Sequence, residues 1–486
     1  MMNLFDQAKH IGQYDAVVAG GGPAGFAAAI AAARGGLKVL LVEAGGFLGG
    51  VSTQGGLPFI LGATSGSIPF PQMIEKGLRY ADLPHPRKAV GGIFDSFVAA
   101  VKAECGGVGP ARMAQTDLYP GLDRLGCHDE FTFDLETGKR VYEEMVLSSG
   151  AEILFFTRVL KADMDANHIR GLWLTSKDSV TYVGCRAVID CTGDADVVES
   201  AGYETYKGDR KTGEMTNASL ICHIENIDPA PLEHYLNEGG DPWFTPFCAQ
   251  AQKDHPEYDV PNALVIFPMM QPGVFMVNGG TNRGGIDGTQ AASLTELALW
   301  GRQRARFLVE EIFRKYIPGA ENCRLRLTAP HPGIRETRRI VAEYILTEDD
   351  LLMGRTFDDT IALAGRHFDL EREEDEVVQA GAADGVDCQN LTQTFAVTNR
   401  LKLGVAPIPY RSLVPKGSDD VIVAGRCVAA DGQALGPARI MSTCMAMGEA
   451  AGTATVLKLQ GGLSYRTIDV QHLRRLLRQA GAEVDA

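Results

Sequence analysis

The stretch DAVVAGGGPAGFAAAIAAARGGLKVLLVEAGG, from Asp15 to Gly46, decides the fold. The run Tyr14–Ala19 has the apolar profile of a buried parallel strand and leads into three glycines. An alanine-rich segment with helical composition then extends to about Arg34, where two glycines end it. Lys38–Glu43 is apolar again, so the order strand, glycine turn, helix, strand predicts one βαβ unit of a parallel sheet.

The glycine spacing of this unit, GxGxxG, is that of a phosphate-binding loop. Such glycines allow a tight turn, close approach of backbone to a pyrophosphate, and close packing of helix on strand. The N-terminus of the helix attracts an anion, and Glu43 can bind both hydroxyls of an unphosphorylated ribose while repelling a 2′-phosphate. The unit therefore predicts a bound dinucleotide. The residues expected to contact it are Gly20, Gly22, Pro23, Ala24, Gly25, Glu43 and Ala44.

Composition excludes several other classes of protein. The 486 residues are 45% hydrophobic, enough for a large core and more than one lobe. A formal charge of −15 disfavours nucleic acid and anionic lipid as partners. Ten scattered cysteines without a CxxC favour reduced thiols, and no signal-peptide or transmembrane pattern occurs. We expect a cytoplasmic protein that acts on a small molecule; whether it forms a homo-oligomer is left open.

Three further glycine-rich segments carry chemistry. Gly45–Gly66 is either a flexible linker or, as its interleaved apolar residues favour, backbone that lies against a ligand. In AVIDCTGDADVV (Ala187–Val198) an apolar strand ends in a turn, which is either an ordinary turn or a second approach to the dinucleotide. In Val421–Gly448 a strand ends at Gly425, and a helix predicted to begin near Pro437 offers free N–H groups to negative charge.

Periodicity and composition predict further elements along the chain. The predicted helices are Gln72–Glu104, Thr137–Ser149 and Ser293–Tyr316. The predicted strands are Ile153–Val159, His168–Thr175, Ser179–Val183, Ala187–Asp190, Ala218–Ile224 and Gly273–Asn278, of which the first three form an antiparallel meander.

Together the glycine-rich blocks resemble FAD-dependent oxidoreductases of the glutathione reductase/fumarate reductase superfamily. The resemblance rests on GGGPAG, VEAGGFLGG, IDCTGDADV, VNGGTNRGGIDGT and the block from IPYRSLVPKG to MGEAAGTA, in collinear order. The block HPGIRETRRIVAEYILTEDDLL narrows it to the broad FAD-dependent oxidoreductase family of bacterial flavoproteins. The resemblance implies an α/β fold: an FAD/NAD(P)-binding three-layer ββα Rossmann-like domain with an inserted mixed α+β substrate domain.

The resemblance also implies a domain division and a path for FAD. Residues 1–200 and 411–460 would form the FAD-binding domain, 201–410 a substrate or cap domain, and 461–486 a helical tail. The first part would include a helical insertion at about 66–150 and the meander at 151–185. The residues placed along FAD, beyond the phosphate loop and Glu43, are Gly49, Gly50, Thr53, Val159, Cys191, Thr192, Gly193, Gly425, Arg426, Asp431, Arg439, Ile440 and Met441.

Their expected roles follow the family. Gly49–Thr53 would pass the flavin ring, Val159 would contact adenine through strand backbone, and the N–H groups of Ile440 and Met441 would face the flavin O2. Superfamily relatives place an acid after the glycine that precedes the ribityl contact. This chain has Arg426 there, so Asp431 or backbone would have to bind the ribityl hydroxyls.

Two groups of residues are candidates for contact with a substrate. In fumarate-reductase-like relatives an arginine in the position of Arg439 meets a substrate carboxylate; the alternative is an arginine that caps neighbouring carbonyls. The second group could clamp an anionic substrate or form a loop of structural ion pairs, and Arg335 is its best candidate. Its members are His331, Arg335, Glu336, Arg338, Arg339 and Tyr344. His223 is expected to be a core residue, and no metal spacing is found.

The sequence favours an FAD enzyme that exchanges a hydride between flavin N5 and a small polar or acidic substrate, with an unidentified electron donor or acceptor. No CxxC or CxxxxC follows the glycine-rich segment, which argues against a disulfide reductase. No second GxGxxG unit suggests an NAD(P)H domain, and the motif of aromatic hydroxylases is absent. The alternatives are a fumarate-reductase-like ene reductase and a flavin-binding subunit or sensor without turnover.

Overall fold

The structure is a computed structural model that describes residues 5, 8–64, 87–104, 107–108, 131–210, 212–366, 401 and 403–486. Strands of the first 200 residues are Lys9–Gln13, Ala16–Ala19, Val39–Val42, Phe59–Ile60, Gly107–Val108, Phe131–Phe133, Glu152–Leu154, Arg158–Asp165, His168–Thr175, Val180–Gly184 and Ala187–Asp190. Later strands are Thr205–Lys207, Ala218–Ser219, Cys222–Glu225, Ile266–Pro268, Phe275–Val277, Asn282–Arg283, Arg324–Thr328, Arg338–Ile340, Thr360–Ala364, Ala406–Pro409 and Val421–Val423.

The α-helices of the described residues are Pro23–Arg34, Ile93–Ala103, Leu135–Ser148, Asp196–Ser200, Pro229–Asn237, Thr245–Asp254, Ala291–Phe307, Arg314–Tyr316, Glu348–Met353, Leu435–Ala438, Met441–Gly461 and Val470–Gln479. A π-helical turn, Leu308–Phe313, joins two of them, so the helix predicted over Ser293–Tyr316 is continuous. The helix predicted over Gln72–Glu104 is observed only as Ile93–Ala103, and residues 72–86 lie outside the described part.

A parallel sheet of five strands forms the centre of the molecule. In spatial order the strands are Val421–Val423, Ala187–Asp190, Ala16–Ala19, Val39–Val42 and Glu152–Leu154. Every residue of the central three strands is buried, which explains why their sequences are apolar without alternation. The sheet joins the two ends of the chain, because Val188 pairs with Val17 on one side and Val421 on the other.

Two helices on one face of this sheet lie in backbone contact. We call Pro23–Arg34 the first helix and Met441–Gly461 the long helix. A Cβ at Gly448 would lie 2.1 Å from Ala24 O, and one at Gly452 would lie 2.4 Å from Ala28 O, so both positions require glycine. Because the two contacts advance together along both helices, the helices run parallel. The long helix begins seven residues before Gly448, about 10 Å beyond the start of the first helix.

The predicted meander needs one correction. Ile153–Val159 is not a single strand: Glu152–Leu154 belongs to the parallel sheet, whereas Arg158–Asp165 begins a four-stranded sheet with His168–Thr175, Val180–Gly184 and Lys9–Gln13. The break falls at Phe156, whose φ is +53°, a left-handed conformation that ends a strand. The N–H groups of Phe156 and Thr157 donate to Gly45 O and Glu43 O at 3.0 Å, which ties the break to the dinucleotide unit.

The second half of the chain adds a further antiparallel sheet. Its strand order is Ile266–Pro268, Phe275–Val277, Cys222–Glu225 and Arg324–Thr328. The strand predicted over Ala218–Ile224 is split in two, because Ala218–Ser219 pairs with Asn282–Arg283 while Cys222–Glu225 enters this sheet. The fold is thus a Rossmann-like parallel sheet with a mixed α+β insertion, as predicted. The exact domain boundaries remain predictions, and no helix of the described residues is both long and apolar enough to cross a membrane.

Candidate functional site

The phosphate loop has one open side. Gly20 has φ +97°, and a Cβ there would lie 2.4 Å from Cys191 O. A Cβ at Gly25 would lie 1.8 Å from Gly20 O, so helix and strand meet in backbone contact. At Gly22, by contrast, the nearest atom to an added Cβ is Gly50 Cα at 4.0 Å. The missing side chain of Gly22 therefore leaves a cradle between this loop and the glycine-rich segment.

Glu43 directly follows the strand Val39–Val42, and its buried carboxylate bridges two loops. Its Oε2 accepts a 2.7 Å hydrogen bond from Gly21 N, and its Oε1 accepts from Gly45 N at 2.6 Å and from Gln54 Nε2 at 3.1 Å. A carboxylate offers about four acceptor sites, so one remains for a ligand hydroxyl. Gln54 was missed in the sequence because a single amide in a glycine-rich run carries no spacing signal.

The glycine-rich segment is held in place rather than loose. Gly49 has φ +101°, its N–H donates to Gly21 O at 2.9 Å, and a Cβ there would lie 2.8 Å from the ring of Tyr142. Ser52 Oγ lies 2.7 Å from Gly49 O and 3.0 Å from the Tyr142 hydroxyl, and Thr53 Oγ1 donates to Leu48 O at 2.6 Å. These contacts favour the interpretation of this segment as ordered backbone beside a ligand; its residues 65–66 lie outside the described part.

The turn after Ala187–Asp190 is fixed by one buried carboxylate. Asp190 is fully buried and accepts from Thr192 N and Thr192 Oγ1 and from the N–H groups of Val197 and Val198. Burial raises its pKa to about 6, against the lowering effect of those hydrogen bonds. Cys191 is buried and its N–H donates to Ala19 O at 2.8 Å, which brings the turn beside the phosphate loop.

Arg426 joins three segments of the chain. It pairs with Asp194 Oδ1 at 2.9 Å and donates to Thr337 Oγ1 at 3.0 Å, while Thr337 donates to the same Asp194 oxygen at 2.6 Å. Gly193 lies against its guanidinium, since a Cβ there would be 2.8 Å from an Arg426 nitrogen. Arg426 thus takes a bridging position between the two lobes. Sequence reasoning missed Asp194 and Thr337, because the bridge connects distant segments.

The neighbouring arginines of the HPGIRETRR block serve structure. Arg338 donates to Asp194 O at 2.8 Å and pairs with Asp196. Arg339 is fully buried, pairs with Glu336 at 2.8 Å and donates to Ala430 O at 2.7 Å. These two side chains form the structural ion pairs that the sequence left as an alternative to a substrate clamp.

The long helix begins without a side-chain cap from its N-cap residue, Ile440. Ile440 precedes it with extended backbone, φ −63° and ψ 144°, which separates it from the short helix Leu435–Ala438. The single helix predicted from about Pro437 is therefore two helices. Thr443 in the first turn is buried, and its Oγ1 has no hydrogen-bond partner in the described part of the chain. An uncapped helix end with an orphaned hydroxyl is a setting for a further ligand.

The other predicted site residues lie as follows. His331 is exposed; its N–H donates to Gln54 O at 3.1 Å, and its Nδ1 lies 2.9 Å from Pro332 O. Arg335 donates to Asn217 O at 3.0 Å. Val159 is the second residue of the strand Arg158–Asp165 and pairs with Leu174.

Asp431 and Arg439 lie on either side of the short helix Leu435–Ala438. Asp431 N donates to Leu346 O, and the Asp431 carboxylate accepts from the backbone of Glu348 while burial raises its pKa. Arg439 O accepts from Cys444 Sγ at 3.2 Å. The described contacts of Asp431 point to Leu346 and Glu348 rather than to Gly425.

Comparison with known proteins now identifies the family. The sequence profile described as FAD dependent oxidoreductase matches residues 15–477. The chain belongs to the FAD dependent oxidoreductase family. FAD is accordingly its cofactor, and the residues fit: the open cradle at Gly22 suits a pyrophosphate, Glu43 keeps an acceptor for ribose, and the uncapped end at Met441 lies at the same end of the sheet.

More distant similarities are weak. Leghemoglobin reductase of Glycine max is 28% identical over 199 residues, which cover 39% of this chain and 34% of that protein. The chain thus matches about a third of this curated relative's length. Among solved structures, a geranylgeranyl bacteriochlorophyll reductase-like protein of Thermoplasma acidophilum has 12% identity and a TM-score of 0.45, with 96% and 83% of the two chains covered. The p-nitrophenol 4-monooxygenase of Pseudomonas putida has 12% identity and a TM-score of 0.43, with 94% and 82% covered.

Proposed function

We propose that this FAD dependent oxidoreductase transfers a hydride between flavin N5 and a small polar or acidic organic substrate. The observation that carries the proposal is the parallel pair of helices. Their contact at Gly448 and Ala24 brings two helix N-termini to one end of the sheet, the second about 10 Å beyond the first. The N-terminus of the first helix suits a pyrophosphate. The N-terminus of the long helix suits negative charge on a more distant part of the same ligand.

The protein's own groups would orient the reactants and stabilise charge. FAD, when bound, supplies the electron-pair chemistry at N5. The N–H groups at the start of the long helix would stabilise negative charge on the pyrimidine edge of the ring, because a helix N-terminus is electropositive. The segment Gly49–Thr53, held against Tyr142 by its hydrogen bonds, would form one wall. A fixed wall matters because hydride transfer depends on the distance and orientation of the reacting atoms.

His331 is the candidate to move a proton. Its Nδ1 lies 2.9 Å from a carbonyl oxygen, which only accepts, so Nδ1 carries the proton in the neutral ring and Nε2 is the free base. Its backbone bond to Gln54 places it one residue from the segment that would pass the flavin. Arg439, adjacent to Ile440, would meet an acidic group of the substrate.

His223 supports this site from the second lobe. It is buried, its pKa is lowered by burial, and the neutral ring donates from Nε2 to Gly56 O at 2.8 Å. This hydrogen bond fixes the middle of the glycine-rich segment on the sheet of the inserted domain. His223 is thus a buried residue that positions the glycine-rich segment.

The test is substrate-driven bleaching of the purified yellow protein. Under anaerobic conditions, 2-hydroxy acids, amino acids, amines and unsaturated acids would be added singly, before and after reduction with dithionite. Oxidised flavin absorbs at about 450 nm. Loss of this absorbance on addition of one class of compound supports hydride transfer from that compound to the flavin. Reoxidation of the reduced protein by an unsaturated acid would favour the ene reductase. Rapid bleaching by NADH would favour a pyridine-nucleotide-linked enzyme. A yellow protein that responds to none of them would instead be a flavin-binding subunit or sensor.

A further inference from the structure

A half-buried arginine outside the predicted site lies beside the start of the long helix. A Cβ added at Gly62 would be 3.2 Å from Arg366 Cβ and also 3.2 Å from Ile440 Cγ2, so these two side chains flank the same glycine. The backbone is fixed there, because Gly365 N donates to Gly62 O at 3.1 Å. Ser442 Oγ, in the first turn of the long helix, donates to Leu61 O at 2.5 Å.

Arg366 differs in its surroundings from the other arginines near the site. Arg426, Arg338 and Arg339 each pair with a carboxylate of the chain. Arg366 has no hydrogen bond or ion pair with any described residue, and its Nε is buried without a partner. The Nε atom has lost water without gaining an acceptor among the described residues, which is costly, so we expect a bound ligand to supply the acceptor.

We infer that Arg366 is a substrate-binding residue that holds a carboxylate group beside Ile440. The inference rests on the proposed function, which puts the reacting ring at the start of the long helix, and it narrows the substrate to a carboxylic acid. A guanidinium offers paired donors that match a planar carboxylate. The side chain of Ile440 and the backbone of Gly62 lie beside the Cβ of Arg366 and present hydrocarbon, which suits a short carbon skeleton attached to the anionic group. Arg439, the residue before Ile440, is placed to share the same ligand.

The experiment is a binding titration of the purified, FAD-containing protein with simple anions. Sodium acetate, malonate, succinate and phosphate would be added at constant ionic strength, with binding read from calorimetric heat and from the flavin absorbance spectrum. The variants are Arg366→Gln, Arg366→Lys, and the control Arg306→Gln, which alters an arginine with a 75% exposed side chain on the helix Ala291–Phe307.

At least one carboxylate should bind to wild type and to the control with equal affinity. Its affinity for Arg366→Gln should be at least about tenfold lower, and its affinity for Arg366→Lys should be intermediate. Equal affinity of wild type and Arg366→Gln would overturn the inference, as would a wild type that binds no carboxylate. Preference for phosphate would overturn the carboxylate assignment. The flavin spectrum, recorded first, separates the two proposals: a protein without FAD contradicts the proposed function, whereas a yellow protein that fails the titration contradicts only the role of Arg366. If Arg366→Gln loses its flavin, Arg366→Lys takes its place in the comparison with wild type, and equal affinity of these two proteins would overturn the inference.

Discussion

The carboxylate of Glu43 accepts a 2.7 Å hydrogen bond from the backbone N–H of Gly21, which joins the end of one strand to the phosphate loop. Glu43 therefore fixes the shape of the loop that would bind the pyrophosphate, and we expect the same side chain to bind ribose. Only about one of its acceptor sites is left for ribose, whereas the sequence suggested that both hydroxyls would be bound.

Glu43→Ala should lower FAD affinity by more than tenfold, because it removes the ribose acceptor and releases both loops. Glu43→Gln should be intermediate, since one amide oxygen still accepts. Flavin absorbance after extensive dialysis measures the retained FAD, with Glu136→Ala, an exposed carboxylate, as the control. Unchanged FAD content in Glu43→Ala would contradict this assignment.

The two glycines Gly22 and Gly25 should respond differently to alanine. Gly22 has φ −69° and ψ −175°, which alanine adopts freely, and its Cβ would enter only the open cradle. Gly22→Ala should fold normally and bind FAD weakly. Gly25→Ala should fail to fold or unfold at a much lower temperature, because its Cβ would lie 1.8 Å from Gly20 O. Circular dichroism and flavin content separate the outcomes; equal loss of fold in both variants would refute the open cradle.

Local patterns predicted the parts of this protein that local physics determines. The turn at Gly20, the first helix and the acid at Glu43 are one contiguous unit, so spacing alone located them. The break at Phe156 was missed because it depends on hydrogen bonds to Gly45 and Glu43, more than a hundred positions away. The candidate site has the same limit, because contacts between distant positions leave no local pattern in the sequence.

The links between the lobes depend on tertiary contacts in the same way. Arg426 looked like a departure from the family pattern, and only the folded chain shows its partners Asp194 and Thr337. Arg366 was not predicted at all, because its position beside Ile440 follows from the path of Gly62.

Arg439→Ala should leave a folded yellow protein and reduce turnover by at least about a hundredfold once a substrate is known, because a charge-assisted contact is lost. Arg439→Lys should recover part of that rate. Steady-state kinetics with the substrate found by bleaching give the measurement, and Arg306→Gln is the control. Turnover within a few fold of wild type in Arg439→Ala would show that this arginine caps carbonyls instead.

Arg426 and Asp194, which lie far apart in the sequence, should be energetically coupled. Their side chains are 20% and 25% exposed and 2.9 Å apart. A double-mutant cycle with Arg426→Gln and Asp194→Asn should give a coupling of about 1 kcal/mol in urea unfolding. The exposed helical pair Arg306 and Glu310 provides the matched control, with about 0.3–0.5 kcal/mol expected. If the coupling free energy of Arg426 and Asp194 is no larger than the control value, this ion pair does not stabilise the folded protein.

Glu449 should make the stability of the protein depend on pH. It lies buried in the long helix, and its Oε2 accepts from Ile93 N at 2.9 Å at the start of another helix. Burial raises its pKa from 4.5 to about 7. Because the folded state holds this proton more tightly than the unfolded chain, the free energy of unfolding should fall as pH rises from about 4.5 to about 7. At about 1.4 kcal/mol per pKa unit, the loss is of the order of 3 kcal/mol.

Glu449→Gln keeps an oxygen for Ile93 N and carries no charge, so it should remove this dependence. The variant and wild type should unfold at similar urea concentrations at pH 5, whereas at pH 8 the variant should be the more stable. The comparison is between the two proteins at each pH, so titrations elsewhere in the chain cancel. A stability difference that stays constant between pH 5 and pH 8 would show that Glu449 ionises without cost in the folded protein, its charge stabilised by the helix that begins at Ile93.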